Sequence, residues 1–200
     1  MRGLFVAFEG GDGCGKSTQA RRVAAARGAH FTFEPGDSPL GADLRRWLLD
    51  ANAPMSPETE ALLMLSDRSH HVRSVIEPLR AAGTHVVSDR FAASTLAYQG
   101  YGRGVDLADL RAATELAIGS CTPDLTILLD VTPDTANARR EPDRLDRFES
   151  QDPGFHDRVR RGYLEMAAAE PGRWIVIDAS GELAEVSRAV DLALDGLSWA

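Results

Sequence analysis

The octamer from Gly10 to Ser17 restricts the possible folds of this chain more than any other segment. It reads GGDGCGKS and matches the phosphate-binding pattern G-x-x-x-x-G-K-[S/T]. The apolar segment Leu4 to Phe8 precedes it, and a helical pattern from Ser17 to Arg27 follows and ends at Gly28. Strand, glycine-rich loop and helix in this order direct backbone amides and a helix N-terminus at one anion. The octamer therefore predicts a phosphate site in an α/β fold.

Lys16 is the only lysine in the chain, because the other 21 of its 22 Lys and Arg residues are arginines. An ammonium group is compact and can enter a tight ring of amides, which a broad guanidinium group cannot. We therefore expect Lys16 to contact β- and γ-phosphate oxygens of a bound nucleotide and the Ser17 hydroxyl to ligate Mg²⁺. The residues predicted to bind the nucleotide are Gly10, Gly11, Asp12, Gly13, Cys14, Gly15, Lys16, Ser17 and Thr18.

Composition limits the domain count, the compartment and the partners. The 200 residues suit a single domain, 1–200, and the net charge of −8 argues against a nucleic-acid partner. The 2 cysteines fit a reducing cytoplasm. The apolar stretches are too short to span a membrane, and the first strand begins too early to leave room for a signal peptide. We expect a cytoplasmic protein with small-molecule partners.

Strand and helix patterns alternate along the whole chain. The predicted strands are Gly3 to Phe8, His30 to Phe33, His85 to Ser88, Leu125 to Asp130 and Trp174 to Asp178. Further helices are predicted near Pro39 to Asp50, Pro57 to Ala82, Ala92 to Gln99, Leu107 to Gly119, Pro133 to Arg139, Pro153 to Ala169 and Glu182 to Leu194. This order predicts a five-stranded parallel sheet covered by helices on both faces. The loops that follow the first three strands should converge on one site.

Asp89 and Arg90 follow the third predicted strand and should face the phosphate loop. Phosphoryl transfer mainly requires that two repelling phosphates are held in line while charge is neutralised. A guanidinium at Arg90 can hold an acceptor phosphate through two hydrogen bonds. Asp89 can accept a hydrogen bond or reach Mg²⁺, directly or through water. We predict that Lys16, Asp89 and Arg90 are catalytic residues and that Ser17 and Asp89 are the metal-site residues.

The segment from Val86 to Gly100 resembles the D-R-[YF]-x-x-S-x-x-A-Y-Q-G motif of bacterial thymidylate kinases. Further motifs of that family occur in the same order: FEG at 8–10, T-x-EPG at 32–36, LR at 44–45, LL at 48–49, DR at 67–68, PDLT at 123–126 and DRFE at 146–149. The resemblance covers nearly the whole chain. It implies a P-loop kinase fold, a homodimer, and Mg²⁺-dependent transfer of the γ-phosphoryl group of ATP to thymidine 5′-monophosphate (dTMP) in dTTP biosynthesis.

A cluster of basic residues lies late in the chain, at Arg139, Arg140, Arg144 and Arg147, and is interrupted by Pro142. It is typical of a basic lid, here about 139–152, which closes over phosphates and excludes water. Some members of the family carry a catalytic arginine in the phosphate loop directly after its aspartate, and others supply it from the lid. Because Gly13 follows Asp12, the resemblance implies a lid-supplied arginine. We favour Arg147 and Arg139, although which arginine acts stays open.

The resemblance also assigns an acceptor pocket. It places Arg68, Gln99 and Thr95 at the thymine base and Tyr98 at the sugar, with Glu34, Arg45 and Asp12 near the sugar and phosphate, Asp12 being counted among the catalytic residues. The chain departs from the family at two positions, with Phe33 where an arginine is usual and Met64 where an aromatic ring usually stacks on thymine. A methionine thioether can cover a base face. These departures can alter affinity or acceptor choice.

Several alternative functions compete with this interpretation. A signalling GTPase is excluded, since its guanine motif N-K-x-D requires a second lysine. A motor or regulatory ATPase would not require the Asp89-Arg90 pair or the basic lid. A kinase for a different nucleotide or nucleoside stays open, as does a non-catalytic relative that binds nucleotides but has lost its substrate.

Overall fold

The computed structural model describes residues 1–139 and 146–199. Within these residues, parallel strands form a sheet in the order β2-β3-β1-β4-β5. The strands are β1 (Phe5–Glu9), β2 (His30–Phe33), β3 (Val86–Asp89), β4 (Leu125–Asp130) and β5 (Trp174–Asp178). Three predicted strands have the observed bounds. Compared with the prediction, β1 begins two residues later and β3 one residue later, and both end one residue later. The predicted α/β class and parallel sheet are confirmed.

The helices fall close to the predicted segments. They are α1 (Lys16–Arg27), α2 (Pro39–Leu49), α3 (Pro57–His71), α4 (Glu77–Ala81), α5 (Ala92–Thr95), α6 (Leu107–Ile118), α7 (Pro133–Ala138), α8 (Pro153–Ala169) and α9 (Leu183–Leu194). Two predicted helices contain π-helical turns, at Val72–Ile76 between α3 and α4 and at Leu96–Gly102 after α5. Apolar periodicity does not distinguish an α-helical turn from a π-helical one, so these turns were not predicted.

Two of the described helices, α2 and α3, begin at a serine followed by a proline. The Ser38 hydroxyl accepts a hydrogen bond from the Gly41 amide at the start of α2, and Ser56 accepts one from Thr59 at the start of α3. Each serine satisfies a backbone amide that has no partner inside the helix, and the following proline has no amide to satisfy. At the other end of α1, Gly28 adopts a left-handed conformation with φ 63°.

The sheet has an apolar core on each face. Val23 of α1 and Val190 of α9 pack with Val6, Ile127 and Leu129 on one face. On the opposite face, Phe155, Val159 and Tyr163 of α8 pack with Ala97 of the π-helical turn at Leu96–Gly102 and with Leu128 of β4. Burial on both faces explains why the strands are nearly continuous apolar runs.

Backbone hydrogen bonds tie the loops after β1, β2 and β3 together. The Arg90 amide donates to the Phe8 carbonyl over 2.8 Å, and the Glu34 amide donates to the Asp89 carbonyl over 3.0 Å. β1 lies between β3 and β4, so the strand order reverses beside the phosphate loop. Open parallel sheets bind ligands at this point.

No helix in the described part of the chain combines the length and the apolar character that a membrane crossing requires.

Candidate active site

The phosphate loop connects β1 to α1 and depends on glycine at two tight positions. Gly10 has φ 142°, and a Cβ atom there would lie 2.5 Å from the Leu129 carbonyl oxygen. Gly13 has φ 83°, and its Cβ would lie 2.6 Å from the Ala136 carbonyl oxygen. Any larger residue would displace backbone, since real Cβ atoms do not approach this closely. The loop therefore requires glycine at both positions.

Lys16 begins α1 and lies under the loop. Its side chain is 7% exposed, and Nζ donates to the Gly11 carbonyl over 3.2 Å and lies 3.5 Å from the Asp12 carboxylate. Cys14 is buried, and this burial raises the pKa of its thiol. Thr18 is exposed in the first turn of α1. Lys16 is thus the cation that the loop itself encloses.

Ser17 and Asp89 meet at the mouth of the loop. The Ser17 hydroxyl donates to Asp89 Oδ2, and Asp89 Oδ1 is buried without a hydrogen-bond partner in the described residues. No group of three or more His, Cys, Asp or Glu side chains in the described residues could hold a metal ion. Mg²⁺ is usually bound through one or two carboxylates together with substrate phosphates and water. The oxygen pair therefore fits a magnesium ion that arrives with a nucleotide.

Arg90 has an unusual backbone and a dense set of partners. Its φ is 71°, a left-handed value that is rare outside glycine. Nη1 donates to the Gly10 carbonyl and to Ser94 over 3.2 and 3.1 Å, and Nη2 donates to the Asp12 carboxylate and, over 2.9 Å, to Tyr98. Burial alone would lower the Arg90 pKa, but the neighbouring Tyr98 and Asp12 groups hold it well above its ordinary value. Arg90 stays charged between the loop and the pocket.

A cavity of about 760 Å³ opens beside the phosphate loop. It brings together most of the predicted site residues: Asp12, Lys16, Ser17, Glu34, Arg45, Met64, Arg68, Asp89, Arg90, Thr95, Tyr98 and Gln99. Phe33 lines the same cavity, with the Arg45 guanidinium 5.6 Å from the centre of its ring. A charged group thus lies against the aromatic ring that replaces the arginine usual at position 33.

Arg68 is held in the wall of this cavity by hydrogen bonds from each of its three guanidinium nitrogens. Its side chain is 2% exposed, Nε donates to Glu34 over 2.7 Å, and Nη1 donates to the Thr95 hydroxyl over 2.6 Å. Nη2 donates to the Phe91 carbonyl over 2.9 Å. Although burial raises the Glu34 pKa, Arg68 and His71 outweigh it and lower that pKa below its ordinary value. The result is a rigid guanidinium whose remaining N–H groups can donate to a ligand.

Asp67 is a buried carboxylate beneath the Gly36 amide, which donates to Oδ2 over 3.2 Å. Burial, followed by the nearby Glu34 charge, raises the pKa of Asp67 from 3.8 to about 6. Well below pH 3.8 this group is neutral in both the folded and the unfolded chain. As the pH rises from 3.8 through 6, the unfolded chain ionises before the folded one, so the folded protein loses the stability that the raised pKa had provided.

We compare the free energy of unfolding of Asp67→Asn with that of the wild type at pH 8 and at pH 4.5. The difference in favour of the variant should be larger at pH 8, by about 1–3 kcal/mol. Asparagine resembles the neutral acid, so the variant escapes the cost of charging. Thermal unfolding at the two pH values measures the difference. Asp43→Asn, at a side chain that is 66% exposed, is the matched control. If the stability difference between Asp67→Asn and the wild type were the same at both pH values, the expectation would be contradicted.

The structure does not bring the two favoured lid arginines into the cavity. Arg147 Nε donates to Glu60 over 2.9 Å, and its Nη atoms donate to the carbonyls of Ala53 and Met55 over 2.6 and 3.1 Å. Arg139 donates to the Ala179 carbonyl over 2.9 Å. Each would have to leave these partners to reach a phosphate. Arg140 and Arg144 lie outside the described residues.

Other residues at the site were not predicted. Arg21 lines the cavity, and its guanidinium lies 4.1 Å above the centre of the Phe31 ring. Its position one helical turn after Ser17 was a usable signal. The Tyr163 hydroxyl donates to Glu9 over 2.9 Å, and burial raises the Glu9 pKa. Tyr163 lies in α8, far from the loop in sequence, so no local pattern indicates it.

One cavity at the carboxyl edge of the sheet thus joins a phosphate loop to a pocket that carries Arg90 and Arg68. A fold and a site of this kind define a P-loop kinase with a small phosphorylated acceptor.

Proteins of similar sequence agree on one family. The family model described as "Thymidylate kinase" matches residues 8–190. A thymidylate kinase of Desulforudis audaxviator is 45% identical over 197 residues, which cover 95% of this chain and 89% of the relative. One from Cupriavidus metallidurans is 46% identical over 199 residues, covering 96% and 97%. The chain belongs to the thymidylate kinase family and is an enzyme.

A solved structure supports the same assignment. The crystal structure of thymidylate kinase from Ehrlichia chaffeensis has a TM-score of 0.79 and 30% sequence identity to this chain, covering 98% of it and 100% of the other. The predicted family and P-loop kinase fold are confirmed.

Proposed function

We propose that this enzyme transfers the γ-phosphoryl group of ATP to dTMP and yields dTDP, a step of nucleotide biosynthesis. The observation that carries the proposal is the shared cavity, which is lined by Lys16 and Arg90 beside the phosphate loop and also by Arg68 and Gln99. A nucleoside monophosphate offers a phosphate to the first pair and a base to the second. We further propose that residues 1–200 act as one P-loop kinase domain.

On the donor side, the loop amides and Lys16 hold the ATP phosphates. The Lys16 ammonium group neutralises charge that builds up on the transferring phosphoryl oxygens. Ser17 and the free oxygen of Asp89 would hold Mg²⁺. That ion would supply further positive charge to the phosphates.

On the acceptor side, Arg90 orients the dTMP phosphate toward the donor. A phosphate oxygen is already anionic, so it can attack without a general base, and catalysis rests on alignment. Arg45 lies at the same cavity and donates to the Pro35 carbonyl over 2.6 Å, which fixes its direction. Tyr98 donates to Asp12 over 2.7 Å, and we infer that this pair faces the sugar.

At the base end, Arg68 and Gln99 would read the edge of thymine. Arg68 can donate to a carbonyl oxygen of the base, and Thr95 holds the guanidinium in place. A wrong base would leave buried polar groups of the pocket without hydrogen-bond partners, and this cost discriminates strongly against it. Met64 lines the same cavity and can cover the base face.

We also propose that the enzyme is a homodimer of the cytoplasm with no nucleic-acid partner. Leu62 of α3 and Leu116 of α6 support a dimer, since they are 62% and 80% exposed on helices that contact each other. Large exposed apolar side chains on adjacent helices are typical of a protein interface. The net charge of −8 disfavours binding to a polyanion.

A coupled ADP-release assay with Mg-ATP tests the proposed function. The acceptors are dTMP, dUMP, dCMP, dGMP and dAMP, each at several concentrations. We expect the highest kcat/KM with dTMP and no turnover after Mg²⁺ is removed by a chelator. Equal turnover of all five acceptors would contradict the assignment of dTMP, and binding without turnover would indicate a non-catalytic relative.

We expect Met64→Phe to lower the KM for dTMP by about three- to tenfold, because a ring stacks on a base more favourably than a thioether. The KM for ATP should not change, since Met64 lies at the acceptor end of the cavity. Steady-state kinetics with each substrate varied in turn measure both values. His70→Phe, at an exposed position on the same helix, is the control. An unchanged or higher KM for dTMP would contradict a stacking role.

A further inference from the structure

Glu60 of α3 is not among the described residues that line the cavity, but it bonds to one of them, Gln99. The residue is 1% exposed, and its carboxylate accepts from three side chains. Gln99 Nε2 donates to Oε1 over 3.0 Å, and Arg147 Nε donates to Oε2 over 2.9 Å. Arg103 donates to both oxygens, over 3.2 Å each. A buried charge with this many donors has a fixed position.

This contact determines which way the Gln99 amide points. An ionised carboxylate only accepts hydrogen bonds, so the NH₂ group of Gln99 must face Glu60. The amide oxygen then faces away from Glu60, and the side chain lines the cavity. In the described part of the chain, no group donates a hydrogen bond to that oxygen. The wall of the cavity therefore presents an acceptor at Gln99 and donors at Arg68.

We propose that Glu60 is a positioning residue for base selection: it holds Gln99 so that the pocket accepts a hydrogen bond from the ring N3–H of thymine. Cytosine carries a bare acceptor at N3 and an amino group where thymine has O4, so it would face Gln99 with an acceptor and Arg68 with a donor. Both contacts would be lost. The inference rests on the proposed function and concerns how the same site selects its acceptor.

The variant Glu60→Gln removes the constraint with little change in shape. Arg103 and Arg147 would take the new amide oxygen, which turns the new NH₂ group toward Gln99. Gln99 would accept it through its own oxygen and present NH₂ to the cavity. We expect the ratio of kcat/KM for dTMP to that for dCMP to fall by about tenfold or more, mainly through the KM of the acceptor. The KM for ATP should stay unchanged.

The assay measures dTMP and dCMP turnover on the same preparation of wild type, Glu60→Gln, Gln99→Leu and the double variant. If a variant has a smaller folded fraction, both rates fall by the same factor, and their ratio does not change. If Glu60 acts through Gln99, its substitution has no further effect on the ratio in the Gln99→Leu background. Arg103→Met, which removes a partner of Glu60 but not Gln99, should lower the Tm and keep the ratio. If Glu60→Gln does not give soluble enzyme, the assay uses Glu60→Asp instead. The shorter aspartate side chain also loses the hydrogen bond from Gln99.

Two outcomes would overturn the inference. In the first, the ratio of kcat/KM for dTMP to that for dCMP is unchanged in the Glu60 variants. In the second, substitution of Glu60 lowers this ratio by the same factor in the Gln99→Leu background as in the wild type. These outcomes differ from failure of the proposed function, in which the wild type itself shows no preference for dTMP.

Discussion

Lys16→Arg is expected to lower kcat/KM for ATP by about a thousandfold or more, although the substitution keeps the positive charge. Lys16 is 6% exposed, and its ammonium group lies within the loop at 3.2 Å from the Gly11 carbonyl. A guanidinium is wider and planar, so it would either displace the loop amides or point out of the loop. In both cases the β- and γ-phosphates lose their closest cation. Steady-state kinetics and calorimetric titration of ATP measure the loss.

The matched control for this variant is Arg27→Lys, which makes the reverse exchange in the last turn of the same helix. Arg27 lies 3.5 Å from Asp195, in a surface ion pair that contributes little. We expect wild-type kinetics from this control. If Lys16→Arg also kept wild-type kinetics, the shape of the cation would not matter, and the solitary lysine would need another explanation.

Arg90→Ala and Arg90→Gly are both expected to lower kcat/KM for dTMP by about 10²–10³-fold. Neither side chain can hold the acceptor phosphate, whereas the KM for ATP should change much less. The two variants should differ in stability, because position 90 has φ 71°. Alanine is strained in this region and glycine is not, so the glycine variant should be more stable by about 1 kcal/mol.

This pair of variants separates the guanidinium from the backbone. Kinetics report the loss of the side chain, and urea unfolding reports the strain. If Arg90→Gly turned over dTMP normally, the acceptor phosphate would have to be held elsewhere. If alanine were as stable as glycine, the left-handed backbone would not persist in the variants.

The fold was predictable because the strands are short apolar runs and the loop carries its own pattern. The π-helical turn at Leu96–Gly102 was not, although it brings Tyr98 and Gln99 to the cavity. Its residues follow an ordinary helical pattern. The packing of α8 against this turn decides the backbone there, and that contact joins segments far apart in sequence.

The candidate site was predictable where topology and motif agree. Lys16, Asp89 and Arg90 follow two adjacent strands, so parallel pairing alone brings them together. Arg139 was harder to assign, because an arginine can bind phosphates or backbone carbonyls. Here it donates to the Ala179 carbonyl, in the loop after β5. Sequence gives the charge of such a residue, but its partner depends on which loop folds beside it.

Arg90 donates to the Gly10 carbonyl and Asp12 on the donor side and to Ser94 and Tyr98 on the acceptor side. An acceptor phosphate must compete with Asp12 for this guanidinium, and Asp12 also lies 3.5 Å from Lys16. Filling one site thus changes the charges that the other site presents. The affinities for the two substrates are therefore thermodynamically linked, and by reciprocity ATP alters dTMP binding by the same factor by which dTMP alters ATP binding.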